Sequence, residues 1–428
     1  MRILLFFSAI LLFGVSCVTD NCSEQRTYVR YDQVFVTPDE YRLASATFEE
    51  PRELEQPGKI YFYQNLILIN EVREGIHWID NSNPNNPVNL GFLPIPGNHD
   101  MAIQNDILYA DAYTDLVLID IASPTNPQLM DRREDVFQSH YFASEEGISS
   151  HFVPTEVTET IDCDDPSWGQ TWFGRGNEIF FDNSSFSGVA EGSIGSGPTG
   201  GPNLNQTGQG GSMARFTITQ NHLYAVGNAE IFSLPIASDG SVETITKTDL
   251  PWGIETIFPY EDLLFLGASN GMHIMSLEDP GQPQHRSTFS HANACDPVVV
   301  QDDIAYVTLR SGTRCEGFNN QLDVLDVSDI MNPQLLHTYP MSNPHGLAVL
   351  DNLLFICEGE HGLKVFDVAD ISQIDENRYS HITGFHAYDA IVLRGISLLV
   401  IGDDGFRQYD YSDPSNLELM SHIHVNRP

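Results

Sequence analysis

Short apolar runs that end on an acidic residue and a proline-punctuated turn recur along most of this chain. Leu116-Val117-Leu118-Ile119-Asp120-Ile121 leads into Ser123-Pro124-Thr125-Asn126-Pro127, and Leu322-Asp323-Val324-Leu325-Asp326-Val327 leads into Ser328-Asp329-Ile330-Met331-Asn332-Pro333. Further copies are Gly75-Ile76-His77-Trp78-Ile79-Asp80 before Asn83-Pro84, Gly271-Met272-His273-Ile274-Met275 before Asp279-Pro280, Gly362 to Val368, and Phe406 to Tyr411 before Asp413-Pro414, with a worn copy at Glu230 to Leu234. Each follows, after a short turn, a second apolar strand such as Ile107-Leu108-Tyr109-Ala110 or Ala305-Tyr306-Val307. Strands of this kind at a period of about 40 residues fit four-stranded propeller blades, and helical periodicity is almost absent. A single four-stranded sheet leaves both faces uncovered, so the copies must pack face to face and close into a ring. The expected fold is all-β, a single propeller of seven four-stranded blades at 53–97, 98–137, 212–252, 253–291, 292–342, 343–386 and 387–428, with a long insertion, 138–211, after the second blade.

The N-terminus carries a separate signal. Met1-Arg2 is followed by an apolar run, Ile3 to Phe13, too short to span a bilayer, and Gly14-Val15-Ser16 offers a small-residue cleavage site before Cys17. Residues 1–16 read as an export signal, and a cysteine at this point resembles the bacterial lipobox, which makes Cys17 the lipidation site and 17–52 a tether in which Tyr28 to Val36 adds a strand. Gly14 stands where leucine is commonest in that motif, and Ser16 also suits an ordinary signal peptidase. The implied location is the cell envelope, at the outer membrane or cell surface, with the membrane contacted through the lipid anchor alone.

The repeated strand resembles the LVIVD repeat family, in the copies Leu116-Val117-Leu118-Ile119-Asp120 and Leu322-Asp323-Val324-Leu325-Asp326. The resemblance covers roughly 53–428 outside the insertion and, with the N-terminal signal, is similar to the lipoproteins of this family in Bacteroidota. It implies a surface propeller. It carries no catalytic residue, so it speaks to architecture and leaves chemistry open.

Charge narrows the partners. Fifty-nine acidic against 20 basic residues give a net charge of -39, which repels nucleic acid. Only Lys59, Lys247 and Lys364 are lysines, a bias that fits either solubility at a crowded surface or a saline habitat. Among the cysteines, Cys295 and Cys315 are the best disulfide pair and would stiffen a loop at one mouth of the ring; Cys357, in an apolar run, reads as a buried small hydrophobe; Cys22 and Cys163 stay unassigned.

In a propeller the innermost strands all start at one mouth of the central channel. Blade alignment places Lys59, Asp100, Arg215, Glu255, Asp296, His345 and Asp389 at that position. A wide, wet mouth demands polar side chains in any case, and mixed signs would pair across it. Alternatively, four carboxylates and a histidine converging there would bind Ca²⁺ through oxygens or polarise a polar substrate. The insertion enters on the same side as a lid, and its Trp168, Trp172 and Phe173 either dock it or bind a sugar. His422 and His424 share one face of the last strand, and Asp403-Asp404-Gly405 reads first as a hairpin turn and only then as a calcium-loop fragment. The favoured function is a non-catalytic module binding an envelope protein or extracellular glycan. A hydrolase or lyase acting on a polysaccharide through carboxylates at the mouth, and a scaffold in an envelope assembly, are the competing readings.

Overall fold

The computed structural model of the protein describes residues 23–43, 47–137, 143–144, 146–162, 174–175, 178–181, 207–290, 297–311 and 320–426. These fall into two compact units, one within 1–34 and 151–189, the other within 35–150 and 190–428. Cys17, Cys22, Cys163, Trp168, Trp172, Phe173, Cys295, Asp296 and Cys315 lie outside the described residues.

The smaller unit is built on a sheet in which Ser23–Val36 lies between Gly147–Asp162 and Glu178–Phe181, with Val29 opposite Phe181. Within it Asp32 accepts hydrogen bonds from the Arg30 guanidinium at 2.6 Å and the Thr155 hydroxyl at 2.9 Å.

The larger unit is a seven-bladed β-propeller. Its four-stranded antiparallel blades span 57–94, 101–133, 216–249, 254–290, 298–340, 347–382 and 389–424, one in each segment marked by the repeat. Among the described residues the one helix is the six-residue Pro38–Leu43, pinned to the second blade by Tyr41, whose hydroxyl meets Thr114 at 2.8 Å, and by Arg42, which grips the buried Asp115 carboxylate with two nitrogens at 2.7 and 2.8 Å.

Burial falls from axis to rim. In the second blade Met101–Gln104 and Ile107–Ala112 are buried along their whole length, Asp115–Asp120 all but its last residue, while Gln128–Arg133 is exposed or half-buried. Face-to-face stacking of blades explains this: the inner strands are covered on both sides, so both sets of alternating side chains are apolar. Local chemistry sets the repeat's other features. Asn105-Asp106, Gln220-Asn221 and Asp302-Asp303 all have positive φ, as the tightest hairpin turns require. The aspartate that ends the third strand turns the chain outward by accepting the backbone N–H two residues on, Asp80 from Ser82, Asp326 from Ser328 and Asp410 from Ser412. The Ser82 and Ser328 hydroxyls, which donate to the same carboxylates, together with these backbone bonds hold Asp80 and Asp326 below their ordinary range, and the Ser412 backbone and hydroxyl bonds do the same for Asp410. Between third and fourth strands the register slips at Trp78/Ile79, Leu118/Ile119, Ile274/Met275, Val324/Leu325, Val365/Phe366 and Gln408/Tyr409. A bulge repeated at that place gives these six rim strands extra twist.

Tyrosine and serine hydroxyls stitch neighbouring blades. Tyr224 donates to Pro280 O at 2.8 Å, Ser287 to Ile330 O at 2.6 Å, Tyr339 to Ile371 O at 2.5 Å and Ser380 to Pro414 O at 2.8 Å. The ring closes between its first and last blades: Leu54, 1% exposed, pairs with Val425, and Asn426 N donates to Leu54 O at 2.9 Å.

Candidate functional site at one mouth of the ring

The aligned residues do sit at the starts of successive inner strands: Lys59 within Pro57–Tyr63, Asp100 just before Met101–Gln104, Arg215 just before Phe216–Thr219, Glu255 second in Ile254–Tyr260, His345 two residues before Leu347–Leu350, and Asp389 first in Asp389–Leu393. Their surroundings divide them into two groups.

The first group is used by the fold. The Lys59 ammonium lies 2.5 Å from Asp100 Oδ2, and both side chains are almost fully buried. The same oxygen accepts the backbone N–H of Arg215 at 2.6 Å and of Phe216 at 2.9 Å, so it fastens the second blade to the third, while Oδ1 accepts Met101 N–H at 2.7 Å. Burial pulls the Lys59 ammonium down, opposed by Asp100. Asp111 Oδ1 accepts from Asn98 Nδ2 and from the backbone of His99 and Asp100, and burial pushes this carboxyl up to about 7.

Asp389 belongs to the same group for a reason that the repeat does not display. The end of the insertion and the residue after it, Thr207 to Ser212, run along the innermost strands. Gln209 and Gly210 pair with Phe62 and Tyr61 on the innermost strand of the first blade, and Gly208 N donates to Ile103 O at 3.1 Å. Ser212 then donates to Asp389 Oδ1 from both its N–H and its hydroxyl at 3.2 Å, and its Oγ accepts Leu347 N–H at 2.7 Å. Only glycine fits at two of these positions: a Cβ on Gly208 would lie 2.2 Å from the Tyr61 ring, and one on Gly211 2.3 Å from Asp389 Oδ2. The void left among this segment, Phe258, Val299, Leu347 and Ile391 is about 10 Å³, at or below the room one water needs. Among the described residues the end of the insertion therefore packs along the innermost strands, a place the repeat alone does not suggest for it. Asp389 sits against this segment with its carboxyl pushed by burial up to about 7.

The second group stays at the mouth. Arg310, at the end of the second strand of the fifth blade, places Nη1 2.8 Å from His345 Nδ1. The His345 ring packs 5.7 Å from His386 and 5.6 Å from Tyr388, whose own rings are 4.3 Å apart, and the Tyr388 hydroxyl donates to Asp403. Burial, with Arg310 and His386 adding to it, holds His345 well below its ordinary value, and burial lowers His386 too, so both imidazoles are neutral at pH 7. Burial raises the Glu255 carboxyl against the pull of Arg215 and Arg310 and lowers the Arg310 guanidinium against Glu255. Two buried atoms here, Arg215 Nε and His386 Nδ1, have no hydrogen-bond partner. Arg310, His386, Tyr388 and Asp403 escaped the alignment because they come from connections of unequal length; the alternation His386, Tyr388 directly before an inner strand was the one available signal.

The remaining candidates lie elsewhere. His422 and His424 stand at the rim with ring centroids 3.6 Å apart, on a cleft of about 460 Å³ shared with Arg52, Glu53 and Asn426. Asp404 is taken by the Arg407 guanidinium at 2.6 and 2.7 Å in a hairpin whose ends are Gly402 and Gly405. Among the described residues no three His, Cys, Asp or Glu side chains group so as to hold a metal ion. Cys357 is a free thiol, fully buried, and burial pushes its pKa well up.

Comparison with known proteins agrees with the architecture. The LVIVD repeat profile matches residues 99–134 and 294–340, the second and fifth blades. Among solved structures, the periplasmic gluconolactonase of Pseudomonas aeruginosa is similar with a TM-score of 0.54 at 11% identity, over 87% of this chain and 97% of that one. A protein from Lactobacillus plantarum is similar with 0.52 at 14%, over 87% and 97%, and the computationally designed Ika8 protein with 0.50 at 11%, over 89% and 92%. At such identities the likeness concerns the fold alone. No relative was found among curated protein sequences. The chain is thus a seven-bladed propeller built from repeats, with the LVIVD repeat recognisable in its second and fifth blades.

Proposed function

We propose that this chain is an exported lipoprotein, anchored through Cys17, whose propeller is a ligand-binding module of the cell envelope, with its site at the mouth framed by Glu255, Arg310, His345, His386 and Tyr388. The observation that carries the reading is the contrast between the two polar groups. Buried polar atoms in folded proteins are almost always satisfied, and Lys59, Asp100 and Asp111 are, with Asp389 Oδ2 the exception in their group; at the mouth, Arg215 Nε and His386 Nδ1 are not. The inner strands leave a void of only about 10 Å³ beside the end of the insertion, so a ligand is expected at the polar mouth rather than among those strands. The two carboxyls raised furthest, Asp111 and Asp389, are engaged in backbone bonds rather than open to a substrate, which favours binding over acid–base hydrolysis.

Two measurements test the proposal. Cells fed a clickable fatty acid are expected to label the protein, and Cys17→Ala to abolish the label; persistence of the label in that variant overturns the anchor. Thermal-shift screening of the protein in detergent against a glycan panel is expected to find a stabilising ligand whose effect is lost in His345→Ala and His386→Ala; a ligand indifferent to both places the site elsewhere.

A further inference from the structure

With 59 acidic against 20 basic residues, carboxylates heavily outnumber the arginines of this chain. Most of the described ones take them: Arg30 with Asp32, Arg42 with Asp115, Arg52 with Glu49, Arg132 with Asp115, Arg133 with Asp131, Arg286 with Glu278, Arg394 with Asp351 and Arg407 with Asp404. Arg215 and Arg310 do not, and unlike the exposed Arg378 both are half-buried. Glu255, whose carboxyl burial raises, acts electrostatically on both, so two half-buried guanidinium charges face one carboxyl that ionises reluctantly; that is unfavourable, and it leaves room for a further anion at this mouth.

We infer that the ligand of this mouth carries a carboxylate, gripped by Arg215 and Arg310, on a small hydroxylated body such as a sugar acid. The inference rests on the reading of the mouth as a ligand site and supplies its chemistry. Both residues are held in place from behind. Arg215 is fixed by its own N–H on Asp100 at 2.6 Å, and Arg310 by His345, which as a neutral ring accepts one hydrogen bond and brings no negative charge. The planar fork of a guanidinium matches a carboxylate with two parallel bonds. Glu255, second in the inner strand of the fourth blade, feels both cations, so one carboxyl lies within electrostatic reach of the two. The net charge of -39 keeps extended polyanions away, so the acid group belongs to a compact molecule or to the end of an otherwise neutral chain. His386 Nδ1 and the packed faces of His345 and Tyr388 offer uncharged hydrogen bonding and flat ring surface to a hydroxylated body.

The test compares glucuronate, glucose and glucose 6-phosphate as probes of the full chain in detergent, by calorimetry and melting curves, in the parent protein, Arg310→Met, Arg215→Met and Arg310→Lys. Glucuronate is expected to bind and glucose to bind at least about tenfold more weakly, with the glucuronate affinity reduced at least about tenfold by either methionine variant and by less in Arg310→Lys, which keeps charge without the fork. Without probe the methionine variants are expected to melt no lower than the parent, because a half-buried charge that makes no ion pair among the described residues has been removed; that result separates recognition from a structural role. Equal binding of glucose and glucuronate, or glucuronate affinity unchanged in both methionine variants, overturns the carboxylate assignment while the mouth remains a site. Binding of glucose 6-phosphate alone overturns it in favour of a phosphate. No binding of any probe to the parent overturns this inference and counts against the mouth as a small-molecule site.

Discussion

Asp389 fastens the channel segment with a carboxyl that burial pushes up to about 7, and its contribution to stability has a definite sign. In the unfolded chain this group titrates near 3.8, so between the two values unfolding releases a proton and stability falls as pH rises. Below the lower value both states are protonated and nothing is lost; above the upper one both are ionised and the full penalty applies. The interval from 3.8 to about 7, at about 1.36 kcal/mol per unit, sets a ceiling of roughly 4 kcal/mol. Asp389→Asn keeps an oxygen for Ser212 N–H and removes the titration. Any packing effect of the amide is the same at every pH, so the change with pH of the difference from the parent isolates the carboxyl. Urea unfolding followed by tryptophan fluorescence is expected to move that difference in the variant's favour from about pH 4 to about pH 7, by at most roughly 4 kcal/mol, and then to level off. Asp249→Asn, on a side chain 89% exposed, supplies the baseline for removing one charge from so acidic a chain. A difference that stays constant over this range, or that follows the Asp249→Asn baseline, means that Asp389 is already ionised in the fold and refutes the argument.

Three further outcomes are expected. Gly211→Ala, whose Cβ would meet Asp389 Oδ2 at 2.3 Å, should lower stability by roughly 1–3 kcal/mol with an unchanged denaturant slope, and a neutral result would show that the channel segment has room to shift. Leu54→Ala, in the core between first and last blades, should lower stability by about 2–4 kcal/mol, and limited proteolysis should then open the ring at its ends; an intact digestion pattern would place closure elsewhere. Cys357 should resist thiol reagents in the native protein and react only in denaturant, as read by mass spectrometry of its peptide, and labelling of the native protein would contradict its burial.

The blades were legible because their punctuation is local. The aspartate ending each third strand bonds two residues on, and the inner hairpins need Asn, Asp or Gln at positive φ, so both leave a mark at fixed spacing. The ring of Lys59, Asp100, Arg215, Glu255, His345 and Asp389 was legible for the same reason: one position per period. What each of them does was not. Asp100 fastens two blades and Asp389 holds a segment 177 residues away in sequence, and neither fact has a period. The channel segment was hidden by its composition. A glycine-rich run reads as a flexible linker, yet Gly208 and Gly211 are glycines because backbone and side chain press against their Cα atoms, and the same residue serves both purposes.

That ambiguity bears on how the mouth should be probed. Replacing Asp100 or Asp389 by alanine, the obvious choice from the alignment alone, removes acceptors that four and two donors respectively already occupy. Loss of binding in such variants would report a slackened ring and a loosened channel segment as readily as a lost ligand contact. Glu255, Arg310 and His386 are better placed to discriminate. Each is only partly buried, and Arg310 touches, among the described residues, another mouth residue rather than the backbone of a neighbouring blade. A perturbation there leaves the bonds from side chain to backbone between blades intact, so a change in ligand response can be assigned to the mouth itself. The position in the repeat therefore says where polar residues gather, and the bonds that each one already makes say which of them are free to recognise something else.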